Sequence, residues 1–88
     1  MDKAEKVIAD VGARVAELRR ENGWTQQDLA NRLRMEPQSV QRIERGTNLT
    51  IRNLVRLARV FGVATIALFE PPKTARGRPG RPRRAASA

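Results

Sequence analysis

The chain is 88 residues long, carries 18 Lys/Arg against 9 Asp/Glu for a net charge of +9, and contains neither Cys nor His. That length accommodates one small domain with a modest core. The absent side chains exclude disulfides, thiolate metal sites and histidine acid–base chemistry, and the charge excess points to a polyanionic partner.

Residues 1–6 are polar and predict a frayed end. The segment MDKAEKVIAD has no apolar run of signal-peptide length, and no later stretch is long enough to span a membrane. The expectation is a cytoplasmic protein with no membrane partner. A first helix is predicted from near Lys6 to Asn22, with Ile8, Val11, Val15 and Leu18 as its apolar stripe and Gly23 as its stop. Trp24, the only Trp, is expected to plug the core between the first two helices rather than to stack on bases.

The stretch from Thr25 to Gly46, TQQDLANRLRMEPQSVQRIERG, reads as two short helices joined by a tight turn. Thr25 is a good N-cap, with Asp28 three residues on as in a capping box. Leu29, Ala30 and Leu33 share one face. The pattern breaks at Arg34, Met35 and Glu36. Pro37 suits the first position of a new helix, where a missing N–H costs nothing. Gly46 supplies the left-handed residue that commonly ends a helix. At about 100° per residue, Val40 and Ile43 point inward and Gln38, Gln41, Arg42 and Arg45 cluster on the opposite side. Glutamine can bond adenine bidentately and arginine can bond guanine. From the wheel alone, a solvated face and a major-groove reader remain equally open.

TQQDLANRL followed by SVQRIERG resembles the Xre family of helix-turn-helix repressors, the lambda-repressor and Cro-like type. That family shows Thr/Ser-Gln-x-x-Leu-Ala, a turn, then x-Ser/Thr-x-Ser-x-Ile/Leu-Glu-x-Gly. The match spans about Val11 to Phe69. Glu36 stands where Ser, Thr or Asp is usual, which weakens the cap of the second helix; Gln41 stands where Ser is common. The resemblance implies an all-α, five-helix, lambda-repressor-like domain that binds double-stranded DNA. It also implies that Arg19 pairs with Glu44, locking helix 1 to the recognition helix; both charges flank apolar stripes on the wheel. The candidate base readers are Gln38, Gln41 and Arg42. The candidate phosphate contacts are Gln26, Gln27, Ser39, Arg45, Asn48 and Arg52, several of them at helix N-termini, where free N–H groups favour phosphate.

Thr47-Asn48-Leu49 forms a loop; many relatives place Pro where this chain has Leu49-Thr50. Thr50 is expected to cap a fourth helix, about Ile51 to Phe61. Ile51, Leu54, Val55, Ala58 and Phe61 are predicted to face inward; Leu57 widens that stripe and Val60 falls outside it. Gly62 ends the helix, and a fifth, about Ala64 to Phe69, follows. Leu57, Val60, Ile66 and Leu68 are the predicted seam of a homodimer.

Residues 1–70 hold 12 Lys/Arg and 9 Asp/Glu, a net +3, whereas residues 71–88 hold 6 Lys/Arg and no acid, a net +6. Pro71, Pro72, Pro79 and Pro82, with Gly77 and Gly80, exclude a helix there, so a domain of residues 1–70 is followed by a disordered basic tail of residues 71–88. Arg76-Gly77-Arg78-Pro79, followed by Gly80-Arg81-Pro82, resembles the core of an AT-hook. The narrow A·T minor groove attracts Arg, and Gly allows close approach. A generic basic tail binding phosphates is the alternative. Nothing in the chain suggests an enzyme, a metal, a cofactor or a small-molecule ligand. The expected function is sequence-specific regulation of transcription, as a homodimeric repressor of bacterial or phage type. Two alternatives stand beside it: an antitoxin binding both operator and toxin protein, and an architectural nucleoid-type protein.

Overall fold

A computed structural model describes residues 2–73, which form four α-helices and one 3-10 helix: α1 (Lys3–Glu21), α2 (Gln26–Leu33), α3 (Pro37–Glu44), α4 (Ile51–Phe61) and the 3-10 helix Thr65–Phe69. No helix among the described residues is long and apolar enough to cross a membrane. The basic motif Arg76, Gly77, Arg78, Pro79 and Arg81 lies outside the described residues.

α1 begins a turn earlier than the apolar stripe indicates. The Asp2 carboxylate accepts the Glu5 N–H at 3.0 Å, and Lys6 pairs with Asp10 one turn later at 2.9 Å. Capping and an i,i+4 ion pair therefore carry helix through residues expected to fray. Val11, Val15 and Leu18 are buried; Ile8 is 42% exposed. After the Asn22 cap, Gly23 takes the left-handed conformation at φ +74°.

α2 opens with the full capping box. Thr25 Oγ1 accepts the Asp28 N–H at 3.0 Å, and Asp28 accepts the Thr25 N–H at 2.9 Å. The Thr25 backbone N–H first, and the Thr25 side chain second, hold the Asp28 carboxyl below its ordinary value. α3 has Pro37 in its first turn, and its N-cap Glu36 makes no side-chain hydrogen bond. Gly46 follows it at φ +91°.

α4 is capped by Thr50, whose hydroxyl accepts the Asn53 N–H at 3.0 Å. Its buried face differs from the predicted one. Leu54, Leu57 and Ala58 are buried, whereas Ile51 and Val55 are 73% and 46% exposed. α4 packs against α1, α2 and the 3-10 helix together, and that three-sided contact rotates the inward arc towards Leu57. The fifth element is a 3-10 helix. Five residues give little room for i→i+4 bonding, β-branched Thr65 and Ile66 add nothing in its favour, and Pro71-Pro72 blocks extension. Its Leu68 is fully buried.

The core gathers Val11, Val15, Leu18, Leu29, Ala30, Leu33, Val40, Ile43, Leu54, Leu57, Ala58 and Leu68. Each large side chain buried there contributes about 1.5–3 kcal/mol. Two seam residues predicted for a dimer, Leu57 and Leu68, are thus core: both are 0% exposed. Val60 is half-buried against the same core, and Ile66 alone of the four is open, at 76%. Trp24 packs against the core, as expected, and its contacts reach beyond the first two helices. Its ring stacks on Phe61 of α4 at 5.9 Å, with the Arg32 guanidinium 4.1 Å from the ring centroid, so it ties α2 to α4.

Arg14 and Glu17 form a buried pair at 2.6 Å on α1, each 6% exposed. The chain after the 3-10 helix returns to them. Lys73 donates its backbone N–H to Glu17 Oε1 at 3.0 Å, and Glu70 lies 3.9 Å from Arg14. Residues 70–73 are therefore fastened to α1.

Candidate nucleic-acid interface

The candidate site is the outward face of α3, and the fold first has to hold that helix. Val40 and Ile43, both 0% exposed, anchor its inner edge. Its C-terminal end is held by an ion pair. Arg19 Nε donates to Glu44 Oε2 at 2.6 Å and Nη2 to Oε1 at 3.2 Å; Nη1 donates to the Trp24 carbonyl at 2.9 Å. Gln26 Nε2 adds a bond to Glu44 Oε1 at 2.9 Å. Glu44 thereby joins α1, the start of α2 and the end of α3. The two charged side chains are 13% and 9% exposed.

Backbone shape completes the clamp. Gly12, in the middle of α1, lies against the last turn of α3. A Cβ built there would sit 2.6 Å from the Glu44 carbonyl oxygen and 2.9 Å from both the Ile43 oxygen and the Gly46 nitrogen. Arg56 of α4 donates through Nη2 to the Leu33 carbonyl, fixing the end of α2. Neither residue was singled out from sequence. A Gly inside a helical stripe does signal close approach, and could have been used; Arg56 carried no such signal.

With α3 held by its inner edge, Gln38, Arg42 and Arg45 are exposed and Gln41 is half-buried. Ser39 is half-buried at the helix start, donating its N–H to Glu36. Gln27 is exposed and donates to Asn31 at 3.0 Å. Gln26 is half-buried, its amide committed to Glu44 through one of its two N–H groups. Asn48 is exposed at φ +58°, its carbonyl accepting from Asn53 at 3.0 Å. Arg52 is exposed in the first turn of α4. The result is a polar, positively charged face, with two helix N-termini beside it and no acid in the first turn of either α3 or α4.

A profile described as Helix-turn-helix matches residues 15–68. The chain belongs to the helix-turn-helix family. An uncharacterized HTH-type transcriptional regulator from Sinorhizobium fredii is 39% identical over 62 residues, covering 69% of this chain and 80% of that protein. The crystal structure of a restriction-modification controller protein from Aeromonas hydrophila superposes with a TM-score of 0.65 at 29% identity, covering 69% of this chain and 94% of the other. A hypothetical transcription factor from Neisseria gives a TM-score of 0.72 at 26% identity, over 83% of this chain and 85% of the other. The helix-turn-helix chain is thus a DNA-binding protein of the transcription-regulator type.

Proposed function

We propose that this helix-turn-helix protein is a sequence-specific repressor that reads double-stranded DNA with α3 in the major groove. The observation carrying this reading is the division of α3: Val40 and Ile43 fully buried, Gln38, Arg42 and Arg45 exposed. Gln38, Gln41 and Arg42 are the base readers. Gln26, Gln27, Ser39, Arg45, Asn48 and Arg52 hold phosphates, fixing register without reading sequence. For Gln26, the N–H not given to Glu44 serves that purpose. Each good bidentate base pairing is worth about 1–3 kcal/mol of discrimination. Arg42→Ala should therefore relax preference at one or two base pairs in competition binding between the best duplex and its single-site variants. Uniform weakening on every duplex would remove Arg42 from base readout.

The protein acts as a homodimer in this reading, with a revised seam. Ile51 and Val55 lie four residues apart on α4, and Ile66 and Phe69 three apart on the 3-10 helix, each pair on one face. All four are exposed, between 46% and 76%. They replace Leu57 and Leu68, whose burial leaves nothing to offer a partner. Two-fold dimers of this class read half-sites roughly 34–36 Å apart.

The basic segment beyond residue 73 supplies non-specific attraction and, through Arg76-Gly77-Arg78-Pro79 and Arg81, an AT-hook-like grip on an A·T-rich flank. Residues 74–88 carry five arginines. Cleaving after Lys73 preserves the Lys73–Glu17 bond, so the domain should remain folded. Five phosphate contacts would contribute up to about −4.5 to the slope of log affinity against log salt. The truncated protein should lose most affinity at low salt and keep its base preference. Equal losses on A·T-flanked and G·C-flanked duplexes would leave a basic tail with no hook.

A further inference from the structure

Two non-glycine residues among the described chain hold positive φ, Arg34 and Asn48, both at φ +58°. They bracket α3, one in the turn before it and one in the loop after it. Asn visits this left-handed region routinely because its short side chain bonds locally; Arg does so at a steric cost that Gly would not incur. Nothing in the turn requires arginine. The Arg34 N–H bonds the Ala30 and Asn31 carbonyls, Met35 bonds Ala30 at 3.0 Å, and Arg56 holds the Leu33 carbonyl. All of these bonds come from backbone or from another residue. A strained conformation kept where the fold does not need that side chain points to a task for the side chain.

Four arginines of the domain are committed to partners within it, and Arg34 is among those that are not. Arg14 pairs with Glu17, Arg19 with Glu44, Arg32 lies over Trp24 and Arg56 bonds Leu33. Arg34 is exposed, and its guanidinium makes no hydrogen bond or ion pair within the described residues. In helix-turn-helix docking the second helix enters the groove by its N-terminal end while the first crosses the sugar–phosphate backbone. Arg34 sits at the junction of the two, between the end of α2 and the start of α3. Its planar fork suits a phosphate. We infer that Arg34 is an additional phosphate contact, placed in the turn of the motif at the expense of local backbone strain. This rests on the DNA-binding reading above.

The test compares the full chain with Arg34→Gly and Arg34→Lys, on a random-sequence duplex and on the selected site. Arg34→Gly should unfold at the same or a higher temperature, since glycine relieves the positive φ. Its binding should lose about 0.9 from the salt slope on both duplexes, about eightfold in affinity at 0.1 M salt if the curves meet near 1 M. Arg34→Lys should keep the slope. An Arg34→Gly protein with the wild-type slope would overturn the inference, whether its stability rose or fell. Failure of the wild-type chain to bind either duplex would sink the DNA-binding reading, and the inference with it.

Discussion

Glu44→Ala should destabilise the domain by about 3–5 kcal/mol, because it strands a largely buried guanidinium rather than deleting a surface charge. Arg19 and Glu44 are 13% and 9% exposed at their side chains, so the 0–1 kcal/mol typical of a surface pair does not apply. The loss reaches further than one ion pair. Arg19 would retain only the Trp24 carbonyl, and Gln26 would lose its acceptor. Urea unfolding followed by helical circular dichroism measures this. Replacing both partners with apolar residues of similar size, Arg19→Met with Glu44→Leu, should recover much of the loss, since no charge is then left unpaired. DNA binding separates the two variants from the wild type in another way. The double variant should fold yet lose Gln26's orientation. A Glu44→Ala protein within about 1 kcal/mol of wild type would show that the pair contributes no more than a surface bridge.

Gly12→Ala should invert the usual sign of its substitution. In an exposed helix interior, Gly to Ala stabilises by roughly 0.5–1 kcal/mol. Here the added methyl would lie 2.6 Å from the Glu44 carbonyl oxygen and 2.9 Å from two further backbone atoms, none of which is a flexible side-chain end. Either α1 moves from α3 or α3 shifts its last turn. Overpacking of this kind costs about 1–3 kcal/mol, sometimes more. Thermal unfolding should record a fall of roughly 4–8 °C per kcal/mol for a domain this size. Binding should weaken beyond what stability explains, because the displaced helix carries Arg42 and Gln38. A melting temperature above wild type would mean that α1 and α3 do not approach as described.

Most of the motif was legible in the sequence because its signals are local. Thr25 with Asp28, Pro37 and Gly46 mark starts and stops through backbone chemistry that needs no tertiary partner. Val40 and Ile43 identify the buried edge of α3 by period alone. The errors arose where tertiary packing decides. A helix wheel sees α4 as one stripe, and cannot tell that contact on three sides buries Leu57 while leaving Ile51 open. Leu68 reads as surface from sequence because a one-turn element has no reliable period. The start of α1 was missed because an Asp2 cap and a Lys6–Asp10 pair carry no apolar signal. The bond from the Lys73 N–H to Glu17 is long-range, joining residues 56 apart in sequence, and no pattern announces it.

The central claim is that the outward face of α3 reads base sequence. Selection of bound duplexes from a random DNA pool, run in parallel for the wild type and for Gln38→Ala with Arg42→Ala, tests it most directly. The wild type should enrich two half-sites related by two-fold symmetry, roughly 34–36 Å apart. The double variant should retain the spacing and lose preference at particular positions within each half-site. No enriched sequence from the wild type, or an unchanged preference in the double variant, would contradict the claim.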